Sequence, residues 1–165
     1  FRDMMIHDFD LARWILDQEP VEVSAQSSCL VESSIGDAGD SDTALVTMRT
    51  ASGKLCQISD SRRAIYGYDQ RLEAHGSKGM LQANNPSHTT LEWTDKNGTR
   101  TDGIQHFFIE RYAISYRTEI EAFIHGIRSG SLNRSPTGQD GLRALLLADA
   151  ATKSAETGRH ITIPD

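Results

Sequence analysis

Cysteine is scarce in this sequence: two residues among 165, Cys29 and Cys56, with no C-x-x-C spacing. A disulfide framework is thereby excluded, and the pattern suits a reducing cytoplasm, where the protein is expected to reside. No run approaches the ~20 consecutive apolar residues of a membrane-spanning helix. Basic charge is also thin, with 17 Lys and Arg against 23 Asp and Glu and a net charge of −6. Without a dense basic cluster, neither nucleic acid nor an anionic membrane is an expected partner. The G-x-G-x-x-G, P-loop, G-x-S-x-G and H-E-x-x-H patterns are all missing, so nothing here cradles a dinucleotide phosphate. The N-terminus lacks the basic region, apolar run and small-residue cleavage site of a signal peptide. It opens on Phe1 and enters a helix almost at once, so the chain is expected to be a piece of a longer polypeptide, which limits what it can do alone. What is present, 38% hydrophobic and 24% charged residues, is the composition of one soluble globular domain spanning residues 1–165.

The apolar spacing predicts a first helix over 2–16. On a 100° wheel Met4, Leu11 and Ile15 share one side, and Met5, Phe9, Ala12 and Leu16 cover the next. Asp3, His7, Asp10 and Trp14 fall on one narrow stripe, so the helix is expected to be buried round most of its girth. Pro20 marks its end. Strand-like segments follow at 21–25, 43–50 and 54–62, the last two joined through Ala51-Ser52-Gly53 as a hairpin. Further pairs lie at 69–75 with 79–83 and at 89–93 with 98–101, while 33–42 is a polar loop. A long amphipathic helix is predicted from Ile109 to Ile127, with Gly130 as its stop. Thr137 with Asp140 three residues on is a capping-box start, Leu142–Ala155 carries the second long helix, and Gly158 ends it. Residues 161–163 close as a short strand. Grouped strands and segregated helices predict an α+β domain, an open and mostly antiparallel β-sheet with helices packed on one face. The other face, given to Leu45, Thr47, Gln57, Ser59 and Arg71, is left for water or a partner sheet.

Asp3 and His7 stand at i, i+4 on the first helix. A carboxylate beside an imidazole is the usual build of a general base: the ring exchanges protons near neutral pH and the acid orients it. The same residue types also serve as a helix N-terminal acid and a satisfied histidine, and spacing alone leaves both readings open. Asp10 would complete a metal-ligand trio, but three adjacent helical positions rarely wrap an ion. No metal is expected, and Asp10 is read as an ion-pair partner of Arg13. The segment Arg62-Arg63-Ala64-Ile65-Tyr66-Gly67-Tyr68-Asp69 offers guanidinium and phenol groups that suit a hydroxyl-rich ligand, or an ordinary strand junction. Tyr112 and Tyr116, one helical turn apart, read as half-buried core by pattern.

Several stretches together resemble a known family. Phe1-Arg2-Asp3-Met4-Met5-Ile6-His7-Asp8-Phe9-Asp10, then Tyr66-Gly67-Tyr68-Asp69-Gln70-Arg71, then Pro136-Thr137-Gly138-Gln139-Asp140-Gly141-Leu142 are similar, in order, to the C-terminal domain of the glucose–fructose oxidoreductase/inositol dehydrogenase/MocA family, in its inositol dehydrogenase branch. The resemblance implies a two-domain NAD-dependent oxidoreductase whose Rossmann domain comes first and carries the cofactor. The choice of NAD or NADP lies with that absent domain. It implies that His7 takes the hydroxyl proton as hydride leaves the same carbon of a cyclitol or sugar, with Asp3 binding the substrate and tuning His7. Tyr66 and Tyr112 are implied as substrate contacts. The family's catalytic Lys, in a Glu-Lys-Pro motif, has no counterpart among Lys54, Lys78, Lys96 and Lys153. Within the branch, oxidation of myo-inositol to its 2-keto product is the leading expectation. A related polyol or sugar oxidoreductase, or a non-catalytic dimerisation module, are the rivals. A homodimer or homotetramer built through the open sheet face is also implied.

Overall fold

The computed structural model describes residues 1–132 and 135–164. By its internal contacts the chain divides into two compact units, residues 1–63 with 136–165 and residues 64–135.

The first unit contains α1 (Met5–Leu16), β1 (Pro20–Ser28), α2 (Ser33–Asp37), β2 (Thr43–Thr50) and β3 (Leu55–Ser61). The second contains β4 (Leu72–Gly76), β5 (Gly79–Ala83), β6 (Glu92–Asp95), β7 (Gly98–Thr101), α3 (Phe108–Arg111) and α4 (Ala113–Ser129). The chain then returns to the first unit as α5 (Gly138–Thr157) and β8 (Ile161–Thr162).

In the first unit the strands form one antiparallel sheet in the order β3-β2-β1-β8. Its strands alternate as a half-buried sheet must: Val46, Met48 and Thr50 are buried, while Leu45, Thr47 and Arg49 are exposed. The inward row meets Met5, Phe9 and Ala12 of α1 and Ala144, Leu147, Ala148 and Ala151 of α5 in one apolar core. Small alanines on α5 let that helix lie close on β1. The expected α+β architecture, helices on one face of an open antiparallel sheet, is therefore found here. Beyond the end of the two-residue β8, the Ala25 N–H donates to the buried Ser154 hydroxyl (2.9 Å), which donates to the Arg159 carbonyl (2.6 Å). A side chain thus completes the edge where the strand has run out.

Helix ends follow local chemistry. The Thr137–Asp140 capping box forms in both directions, Gly130 and Gly158 close α4 and α5 in the left-handed region, and Asp17 does the same for α1 at φ 50°. The helix predicted over 2–16 begins later, at Met5, because residues 2–4 form a turn. Only one face of α1 is buried. Its stripe of Asp3, His7 and Trp14 points to solvent, with Trp14 78% exposed, so the expectation of a helix buried round most of its girth is corrected.

Other departures have physical causes. Residues 33–37 of the predicted loop coil into α2, where the Glu32 side chain accepts the Ser34 N–H. In the second unit β4–β5 and β6–β7 pair as separate two-stranded sheets. Strand β4 starts at Leu72, after the Asp69 and Arg71 side chains that bond each other. Arg71 accordingly lies in this unit, not on the outer face of the four-stranded sheet where the sequence placed it. The predicted helix 109–127 is interrupted at Tyr112 (φ −106°, ψ 9°), which separates α3 from α4. The apolar rhythm of α4 is real, yet Ile120, Phe123 and Ile127 are exposed and only Gly126 is buried.

Candidate functional site

The sequence-predicted residues fall on both units, and each set has its own construction. In the first unit Asp3 precedes α1 and His7 lies in its first turn. Because the helix starts at Met5, Asp3 is free to turn away from the helix axis, and its carboxylate goes to Arg62. Both terminal guanidinium nitrogens donate to the same oxygen, Oδ2, at 3.0 Å, and Nη1 also meets the Met4 sulfur at 3.0 Å. Arg62 is itself held by its backbone, whose N–H donates to the Asp42 carbonyl (2.8 Å). His7 is exposed, and among the described residues its ring has no hydrogen-bond partner. Asp3 and His7 both face solvent, and the acid is partnered by Arg62.

Asp3, Asp42, Asp60 and Arg62 line a shallow open depression. Asp42 is a structural anchor. Its buried carboxylate accepts the backbone N–H groups of Leu30, Val31 and Glu32 (2.8–2.9 Å) and the Thr43 hydroxyl (2.9 Å). Those donors hold its pKa well below the usual carboxylate range although burial opposes them. Asp60 is the opposite case: its Oδ2 is buried without a hydrogen-bond partner. Burial, and then the negative charge of Asp8, push its carboxyl up to about 6.

That shift has a stability consequence. The folded chain holds the Asp60 proton more tightly than the unfolded chain does. Stability therefore falls as pH rises from the ordinary value of 3.8 through about 6. Asp60→Asn is expected to stabilise the protein at pH 8 by on the order of 1 kcal/mol, solvent screening reducing the full linkage value, with the gain vanishing below pH ~4. Urea unfolding at the two pH values checks this; an equal effect at both would refute the assignment.

In the second unit Tyr66 stands at a sharp bend. Its hydroxyl donates to Asp69 Oδ2 (2.5 Å), and Asp69 also accepts from Arg71 Nε (2.8 Å), Arg71 Nη2 (2.9 Å) and Asn85 Nδ2 (2.5 Å). Arg71 first, then the Tyr66 and Asn85 bonds, bring the Asp69 carboxyl down to about 2 against the effect of burial. The same hydrogen bond to Asp69 raises the Tyr66 phenol. Asn85 Oδ1 in turn accepts the Gln70 N–H (2.8 Å), which ties the segment to the chain beyond β5. Tyr112 meets Tyr68 edge-on (ring centroids 5.7 Å, 81°) and Tyr116 at 6.2 Å, with the Arg111 guanidinium 5.3 Å from its ring centre. The fold thus sets Tyr112 against the segment that carries Tyr66. The Tyr-Gly-Tyr-Asp run contains Asp69, but the sequence signals neither its acceptor role nor Asn85. Nothing in the sequence spacing signals a partner 16 residues away.

As predicted, Asp10 pairs with Arg13 (2.9 Å). Among the described residues no group of three or more His, Cys, Asp or Glu is placed to hold a metal ion. No helix among them is long and apolar enough to cross a membrane.

The chain is 50% identical over 163 residues to an inositol 2-dehydrogenase of Rhizobium meliloti, covering 99% of this chain and 49% of that protein. Its fold superposes on the crystal structure of a myo-inositol dehydrogenase from Corynebacterium glutamicum with a TM-score of 0.91 at 44% identity, covering 99% of this chain and 49% of that one. A scyllo-inositol dehydrogenase from Lactobacillus casei, solved with NAD(H) and scyllo-inositol, superposes at 0.85 with 27% identity, over 97% of this chain and 47% of that one. The chain thus spans about half the length of the relatives it matches. Residues 1–163 match the oxidoreductase family, C-terminal alpha/beta domain, of the GFO/IDH/MocA model, and the chain belongs to that family.

Proposed function

We propose that this chain is the substrate-binding and catalytic half of an NAD-dependent inositol 2-dehydrogenase, which oxidises myo-inositol to 2-keto-myo-inositol (scyllo-inosose). The observation that carries the reading is the Asp-x-x-x-His element at the exposed start of α1, in a chain 50% identical to a protein named inositol 2-dehydrogenase. NAD is the hydride acceptor, held by a nucleotide-binding half outside this chain; the reading is supported by the chain spanning about half the length of its relatives and by a relative solved with NAD(H).

Within this chain the roles follow from placement. His7 takes the proton of the hydroxyl whose carbon is oxidised, its ring unencumbered by any partner among the described residues. Asp3 hydrogen-bonds the substrate through Oδ1, since Arg62 occupies Oδ2. Tyr66 and Tyr112 contact further hydroxyls. The uncovered sheet face, with Leu45 and Leu55 exposed, is the surface through which copies associate as a dimer or tetramer.

The test uses the full-length polypeptide and follows NADH formation with myo-inositol, scyllo-inositol and glucose. His7→Ala is expected to lower turnover of myo-inositol by about 10²–10⁴-fold with NAD binding retained. Activity indifferent to the substitution would sink the acid–base role. Turnover confined to glucose would move the enzyme to a sugar oxidoreductase of the same family. Sedimentation of the same preparation as a monomer would remove the sheet-face assembly.

A further inference from the structure

We propose that Asp69 is a positioning residue that commits the Tyr66 hydroxyl proton inward, so that Tyr66 meets the substrate as a hydrogen-bond acceptor. The inference rests on the reading of Tyr66 as a substrate contact and adds the polarity of that contact. An ionised carboxylate offers roughly four lone-pair sites. At Asp69 all four are taken: Oδ1 by Arg71 Nε and Asn85 Nδ2, Oδ2 by Arg71 Nη2 and the Tyr66 hydroxyl. Its side chain is only 13% exposed, and Arg71 keeps it ionised. Asp69 therefore has nothing left with which to touch a ligand, and it acts through Tyr66.

Tyr66, in contrast, is 58% exposed. Its one proton is spent on Asp69, so toward a ligand its oxygen can only accept, through the lone-pair capacity that the neighbouring Arg71 side chain leaves. Such a group favours a free alcohol over a carbonyl, ether or fluorine at the ring position it meets. That preference belongs to a polyol substrate, and it would help release a ketone product formed at that position. Arg71 and Asn85 keep the device rigid, one by a bidentate fork and the other by bridging to the Gln70 backbone.

The experiment measures KM and kcat of the full-length enzyme for Tyr66→Phe, Asp69→Asn and the double variant, with His7→Ala as control and thermal melting as a check on folding. Each single substitution is expected to raise KM for myo-inositol about tenfold, with KM for NAD unchanged and kcat little altered. The double variant is expected to be no worse than either single one, because the two residues form one device. At one ring position the wild type is expected to prefer hydroxyl over fluorine about tenfold, a preference that Tyr66→Phe abolishes. Tyr66→Phe leaves the other three bonds of Asp69 in place, so its outcome decides even where Asp69→Asn fails to fold. Additive losses in the double variant would overturn the inference, as would equal use of fluorine and hydroxyl at every position. An unchanged KM in Tyr66→Phe, alongside collapse in His7→Ala, would overturn it while leaving the proposed function intact. Full activity in His7→Ala would instead strike at the proposed function.

Discussion

Gly67→Ala is expected to cost about 2–4 kcal/mol of stability and to raise KM for the proposed cyclitol substrate sharply. Gly67 sits between the two tyrosines at φ 139°, a conformation that L side chains rarely adopt. Space is closed as well as the dihedral. A Cβ there would stand 2.4 Å from Ile104 Cγ1 and 3.0 Å from the Gln105 carbonyl oxygen. That carbonyl accepts the Tyr68 N–H at 2.8 Å, so the backbone cannot retreat without breaking the bond that seats the segment. The substitution therefore pushes Tyr66 off Asp69 and Tyr68 off Tyr112 together. Denaturant unfolding and steady-state kinetics of the full-length protein check this. A variant with wild-type stability and wild-type KM would show that the bend does not hold the tyrosines.

Arg13→Ala is expected to cost about 2–4 kcal/mol, near the lower end of what breaking a buried ion pair costs, because the carboxylates left behind are half exposed. Arg13 is 9% exposed and is the hub of the first unit's charge network. Its Nε and Nη2 grip Glu19 as a fork (2.8 and 2.6 Å), and Nη1 reaches Asp10 (2.9 Å). Nη1 and Nη2 also meet the carbonyl and carboxylate of Asp140 (3.1 and 3.2 Å). Asp140 is the capping-box acid of α5, so one guanidinium joins the end of α1 to the start of α5. Its removal leaves three carboxylates repelling one another and loosens the helix pair that covers the sheet. Arg13→Lys is expected to recover only part of the loss, since an ammonium cannot make the fork. Unfolding curves that coincide for Arg13→Ala and wild type would refute the hub role.

The two predictions also mark how far the sequence could be read. Gly130, Gly158, the Thr137–Asp140 box and the turn through Gly53 were all legible because a cap or a tight turn is settled by dihedral freedom and by donors within about four residues. The helix and strand periods were legible for the same reason, and the family resemblance added Asp3, His7, Tyr66 and Tyr112 as residues of interest. The Asp10–Arg13 pair, three residues apart, belongs to this local class.

What the chain's own pattern did not disclose are partners and faces, which depend on packing. Asp140 meets Arg13 across 127 residues and Asp3 meets Arg62 across 59, distances at which spacing carries no signal. The same holds for burial: the apolar row of α4 looks like core by period, and the fold leaves Ile120, Phe123 and Ile127 in solvent. The amphipathic period states that a face needs covering, but only the arrangement of elements decides whether this chain covers it. Asp42 and Asp60 show the point within one depression. Two aspartates of identical chemistry end on opposite sides of the ordinary carboxylate value, because one is ringed by backbone N–H groups and the other is buried beside a like charge.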